Sequence, residues 1–157
     1  MTAKLKHGIT KVKDPGSALT HFIAMILAII AAMPLLSKAG HDSGHMHISA
    51  LAVFILSMIG LYAASTIYHT LDISPKINKL LRKIDHMMIF ILIAGTYTPV
   101  CMIVLGDKTG WTMLTLVWGI AIVGILINAL WITCPKWFSS LIYIAMGWVC
   151  ILAITKI

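Results

Sequence analysis

Long apolar runs separated by brief polar breaks organise this chain of 157 residues. The runs fall at 17–37, 48–70, 85–105, 111–133 and 138–157. Each is close to the about 20 residues that a helix needs to cross the hydrocarbon core of a bilayer. The pattern predicts an all-α fold, a polytopic transmembrane helix bundle of five spans over 17–157, preceded by a basic tail at 1–16. The first run is too long for the apolar region of a secretory signal and has no small-x-small cleavage site after it, so it reads as a permanent span. Pro34 lies near the far end of that span, where a kink is tolerated. In the third span, GTYTP at 95–99 places Pro99 where its missing donor should bend the helix.

Composition confirms the class. Hydrophobic residues make up 60% of the chain and charged ones 11%, and the mean hydropathy is +0.98, outside the range of a soluble domain. Twelve Lys and Arg stand against 5 acids, all of them Asp, for a formal charge of +7. In a membrane protein that excess points to anionic lipid headgroups and to orientation before it points to nucleic acid.

The basic residues cluster in the tail (Lys4, Lys6, Lys11, Lys13) and in the 71–84 break (Lys76, Lys79, Arg82, Lys83), with Lys136 in the last break. Lys38 and Lys108, in the alternate breaks, each have an acid nearby. Positive-inside counting therefore places the N-terminus in the cytoplasm, Lys79 inside and Ser43 outside. Trp111, Trp131 and Trp137 fall at the expected interfaces. Cys101, Cys134 and Cys150 lack the paired spacing of a disulfide framework or zinc ribbon and read as packing residues.

This topology gathers polar residues into one shallow cytoplasmic layer. Ser65 and His69, four apart, share a helical face in the last turns of span two. Asp85 and His86 open span three, His21 lies one turn inside span one, and Asn128 returns to that level in span four. Histidine beside a carboxylate suits a divalent metal such as zinc, the acid orienting a ligand or a bound water. Plainer readings stay open: histidines resting at the interface, Ser65 bonded to its own helix, Asp85 as a helix N-cap, and Asp14 as a cap or turn residue. His41, His45 and His47 form a separate group in the 38–47 loop on the other side of the membrane. Gly119 and Gly124 lack GxxxG spacing and suggest only close packing.

The segments STIYHT (65–70), KIDHMMIFILIAGTYTP (83–99) and DPGSALTH (14–21) resemble the hemolysin III family, bacterial relatives of the progestin and adiponectin Q receptors. The resemblance runs from about Asp14 to the end of the chain. It implies a seven-span protein with a cytoplasmic N-terminus, so this chain is expected to lack the last two family spans. It also implies zinc near the cytoplasmic leaflet, held by the histidine of an S-x3-H motif and two more of an H-x3-H motif on the last span. On that basis His69 is a metal ligand, Asp85 acts through a metal-bound water, and Ser65 is a neighbour of the site.

The family's E-x2-N-x3-H appears as Asp14, Ser17 and His21, and no histidine follows His86. His21 and His86 are the candidate replacement ligands for the missing H-x3-H. The implied function is cytolytic or pore-associated activity, or membrane homeostasis, in the bacterial plasma membrane. The alternatives are a zinc-dependent intramembrane hydrolase of lipid amides, with Asp85 and Ser65 as catalytic residues, and an inactive truncated member. Expected partners are the bilayer and its anionic lipids, not nucleic acid, with self-association left open.

Overall fold

The computed structural model describes residues 12–42, 44–131 and 136–153 and is helical in all its regular elements. The first eleven residues of the basic tail, Ser43 and Cys134 lie outside the described residues. Helix α1 spans Pro15–Asp42, α2 His45–Thr70 and α3 Pro75–Pro99. A π-helical segment, Val100–Leu105, continues α3, and α4 spans Lys108–Leu130. Helix α5, Lys136–Trp148, passes into a short 3-10 helix, Val149–Ala153. Four apolar helices are long enough to cross a membrane, while the fifth, Trp137–Leu152, is shorter than the other four. The protein is thus a polytopic helix bundle, as the apolar runs predict.

Helix ends follow local chemistry more than hydropathy. Ser74 caps α3 by accepting from the Ile77 amide, and Pro75 stands at its first turn, where a missing N–H costs nothing. Helix α3 therefore starts at Pro75 and not near Asp85, and the N-cap role open to Asp85 is held by Ser74. The polar stretch expected as a loop at 38–47 is mostly helix. Helix α1 runs on to Asp42, and α2 resumes at His45 after Gly44, whose φ of 79° suits glycine. His41 and His45 consequently lie at helix ends.

At Pro99 the expected disturbance takes the form of a change of register. Beyond it the backbone is π-helical for six residues and stops at Gly106, φ 57°, whose N–H reaches back to the Cys101 carbonyl at 3.2 Å. Asp107 then caps α4 through the Gly110 amide at 2.9 Å.

Neighbouring helices pack in chain order: α1 on α2, α2 on α3, α3 on α4, and α5 against α3 and α4. Among the described residues α1 touches only α2. Phe90, Ala94, Val117, Ala121 and Met146 form the centre of the core with Cys101, which is packed as expected, whereas Cys150 is exposed. Large apolar side chains such as Leu27, Ile30 and Met33 face outward, as a lipid-facing surface requires. Two glycines permit close approach, Gly95 against Ser57 and Gly124 against Phe90. Gly124 thus has the packing role expected of it, while Gly119 faces open space.

The orientation is testable at residues on opposite ends of the bundle. In a background with the native cysteines replaced, Lys79→Cys should label only from the cytoplasmic side and Lys108→Cys only from outside. The reverse pattern would invert the bundle and move the polar cluster described next to the outer leaflet.

Candidate functional site

The start of α1 and the end of α2 meet side by side, and their polar residues make one cluster. Asp14, Ser17 and His21 fall at i, i+3 and i+7 and so share a face of α1. Ser65 and His69 supply the facing side of α2. The Asp14 amide donates to the His69 carbonyl at 2.9 Å, while the Asp14 carbonyl accepts from Ala18 at 3.0 Å, so the residue both starts α1 and ties it to α2.

Side chains reinforce that junction. The Ser17 hydroxyl donates to the Asp14 carboxylate at 2.7 Å, and the same oxygen lies 3.3 Å from His69 Nδ1. Deeper in, His21 Nδ1 is hydrogen-bonded to the buried Ser65 hydroxyl. The His21 and His69 rings stand edge to face with centroids 5.6 Å apart, and Tyr62 closes the other side of His21 at 6.0 Å. Each histidine has Nδ1 engaged and Nε2 free of any protein partner among the described residues.

The Ser17 hydrogen bond, aided by His69 beside it, holds the Asp14 carboxyl below its ordinary value. A depressed carboxylate stabilises the junction above the usual carboxylate range and loses that effect as pH falls through its lowered pKa. At neutral pH Asp14 is therefore a carboxylate, accepting from Ser17 and lying beside His69.

Of the residues proposed for the layer, His21, Ser65 and His69 come together. Asp85 and His86 do not join them. Asp85 lies ten residues into α3, at about 1.5 Å per residue some 15 Å from its start, and is paired with His86 at 3.7 Å. The His86 ring turns to the Arg82 carbonyl at 2.8 Å, and its own carbonyl accepts from Tyr143 at 2.8 Å. Asn128 is likewise used elsewhere, accepting from Ser139 at 3.1 Å to join α4 to α5. Asp14 and Ser17, absent from the expected layer, complete it, and with His21 they are the three positions that the sequence offers as the counterpart of E-x2-N-x3-H.

A catalytic zinc takes three protein ligands. The cluster offers two imidazoles and one carboxylate, and that carboxylate already lies against His69 Nδ1. Among the described residues no group of three His, Cys, Asp or Glu is placed to hold a metal ion, the His41, His45 and His47 group included. The described residues do not by themselves fit zinc. Their contacts are those of a polar latch between α1 and α2.

The family described as Haemolysin-III related matches residues 9–157. Hemolysin-3 of Bacillus cereus is 39% identical over 155 residues, covering 98% of this chain and 70% of that protein. The Hemolysin-3 homolog of Bacillus subtilis (strain 168) is 35% identical over 142 residues, covering 90% of this chain and 66% of that protein. No solved structure matches significantly.

Proposed function

The chain belongs to the hemolysin III family of multi-pass membrane proteins, and from that premise we propose that it acts on the barrier of the bacterial plasma membrane, as a permeabilising or membrane-homeostasis protein. The similar Bacillus proteins are named hemolysins, and lysis requires only that the bilayer be breached. The observation that carries the reading is the donor count at the cytoplasmic end. Two imidazoles with committed Nδ1 atoms and a carboxylate turned onto one of them suit a latch between α1 and α2 better than a hydrolytic centre.

One feature favours the second reading, a zinc-dependent hydrolase of lipid amides. A carboxylate on His69 Nδ1 is the arrangement that orients a metal-ligating histidine. In that case Nε2 of His69 and of His21 would face the metal, and the chain would still need a further ligand. Asp85 and Ser65 would serve such an enzyme only if a metal drew Asp85 towards His69, which the present contacts of Asp85 do not do.

Dye release from liposomes carrying the purified protein separates the two. Release should be dose-dependent and unaffected by a zinc chelator. Chelator-sensitive release of fatty acid from a lipid amide, abolished in His69→Ala, would replace the permeabilising reading with the hydrolytic one. Metal analysis after dialysis should find zinc well below one per chain.

A further inference from the structure

On the far side of Tyr68 from the cluster lies a second polar feature. A groove of about 240 Å³ is lined by Lys13, Tyr68, Pro75, Asn78, Lys79 and Arg82. Three separate elements build it: the residues before α1, the last turn of α2 and the first turns of α3. Within α3, Pro75, Asn78, Lys79 and Arg82 recur at helical spacing and so line one face.

The cations of this groove lack counter-charges. Lys13 Nζ sits 3.6 Å above the Tyr68 ring, a cation-π contact that fixes its position and leaves its charge unneutralised. Lys79 and Arg82 have no ion-pair partner among the described residues, although Arg82 lends its backbone carbonyl to His86. The nearby carboxylates are already committed. Asp72 accepts from the Asn78 amide at 2.6 Å, and Asp14 is held by Ser17 and His69. Three cations therefore converge on a concavity that no anion among the described residues fills.

The setting specifies the depth. Ile77, Leu80 and Ile84, at i, i+3 and i+7 of α3, are exposed and form an apolar stripe beside the basic face. A helix start with a basic face next to an apolar stripe lies at the boundary between hydrocarbon and headgroups. Arginine and lysine there meet phosphate oxygens, Arg through its fork of donors and Lys as a point charge.

We propose that this groove is a binding site for a phosphate-bearing anion, with the phosphate between Lys13, Lys79 and Arg82. The phosphate belongs either to an anionic lipid headgroup or to a free phosphate ion. The site goes beyond the barrier function proposed above and is lined by none of the His21 and His69 cluster, although the Tyr68 ring meets His69 edge to face with centroids 4.8 Å apart.

The test uses the full chain in nanodiscs of phosphatidylcholine with and without phosphatidylglycerol, and native mass spectrometry of the lipid retained after extraction. Phosphatidylglycerol should be enriched severalfold over its share of the bilayer. Lys79→Gln with Arg82→Gln, and separately Lys13→Gln, should remove the enrichment, while Lys108→Gln at the opposite end of the bundle should keep it. Adding inorganic phosphate distinguishes the sources: displacement of the lipid shows that free phosphate shares the site, and retention assigns it to the lipid headgroup. The substituted side chains are exposed, so unfolding midpoints in phosphatidylcholine should match wild type, which guards against a folding defect. Equal enrichment in the groove variants, or in the wild type neither enrichment nor a rise of the unfolding midpoint on adding inorganic phosphate, would overturn the proposal and leave the dye-release result untouched.

Discussion

Gly95→Ala should destabilise the protein at least as much as any truncation of its core. A Cβ at Gly95 would come 2.8 Å from the Cβ of Ser57 and closer still to its hydroxyl oxygen. Ser57 is 4% exposed, and its hydroxyl donates to the Phe54 carbonyl at 2.7 Å. The hydroxyl could turn away, but Ser57 Cβ moves only with the backbone of α2, so the two helices must part. Overpacking of that kind costs about 1–3 kcal/mol.

The bilayer decides the comparison with truncation. In water, emptying a phenylalanine site costs about 3–5 kcal/mol, much of it transfer of apolar surface. Lipid is as apolar as the core, so Phe90→Ala here forfeits mainly packing. Steric conflict has no such relief. Thermal unfolding in lipid nanodiscs should show Gly95→Ala well below wild type, and Ser57→Gly added to it should recover most of the loss. Residues in contact couple by about 0.5–3 kcal/mol. A Gly95→Ala midpoint equal to wild type, or a double variant no better than the single, would show that α2 and α3 do not pack this closely.

These contacts mark where the sequence was readable and where it was not. Apolar runs announced every helix because length and hydropathy are properties of a single segment. They set helix limits poorly, since a hydropathy run begins at the edge of the hydrocarbon and a helix begins at its cap. Ser74 and Pro75 were the available signal, and they place α3 ten residues before Asp85. Asp85 therefore lies within α3, about 15 Å from its start, and its contact among the described residues is with His86.

At the site, Ser65 and His69 were legible from their spacing, and His21 from its depth. Asp14 read as a cap, which its carbonyl confirms, but its carboxylate crosses to another helix, and a cap signal says nothing about such a partner. The basic groove was hidden for the same reason. Positive-inside counting saw Lys13, Lys79 and Arg82 as charges on two separate loops, and only the packing of α1 on α2 makes them neighbours.

Pro99→Ala should change membrane permeabilisation on the order of tenfold, the response expected when about 1.4 kcal/mol shifts the balance between two helix registers. Pro99 has no N–H to offer the turn before it, and directly after it the chain is π-helical from Val100 to Leu105. Such segments hold one extra residue in a turn and often mark places where a helix works. Alanine supplies the missing donor and favours a continuous α-helix, which would rotate the end of α3 by about one residue, roughly 100°.

That rotation would carry Cys101 out of its buried position against Gly110, whose missing side chain lets the Cys101 carbonyl approach. If the bundle breaches the bilayer by bending here, locking the register should cut dye release by that factor, with the amount of folded protein in the membrane unchanged. A zinc chelator should leave both proteins as they were. Should Pro99→Ala release dye at the wild-type rate while His69→Ala or chelation silences it, the work of the protein would lie at the His21 and His69 cluster, and metal chemistry would take the place of a bending helix.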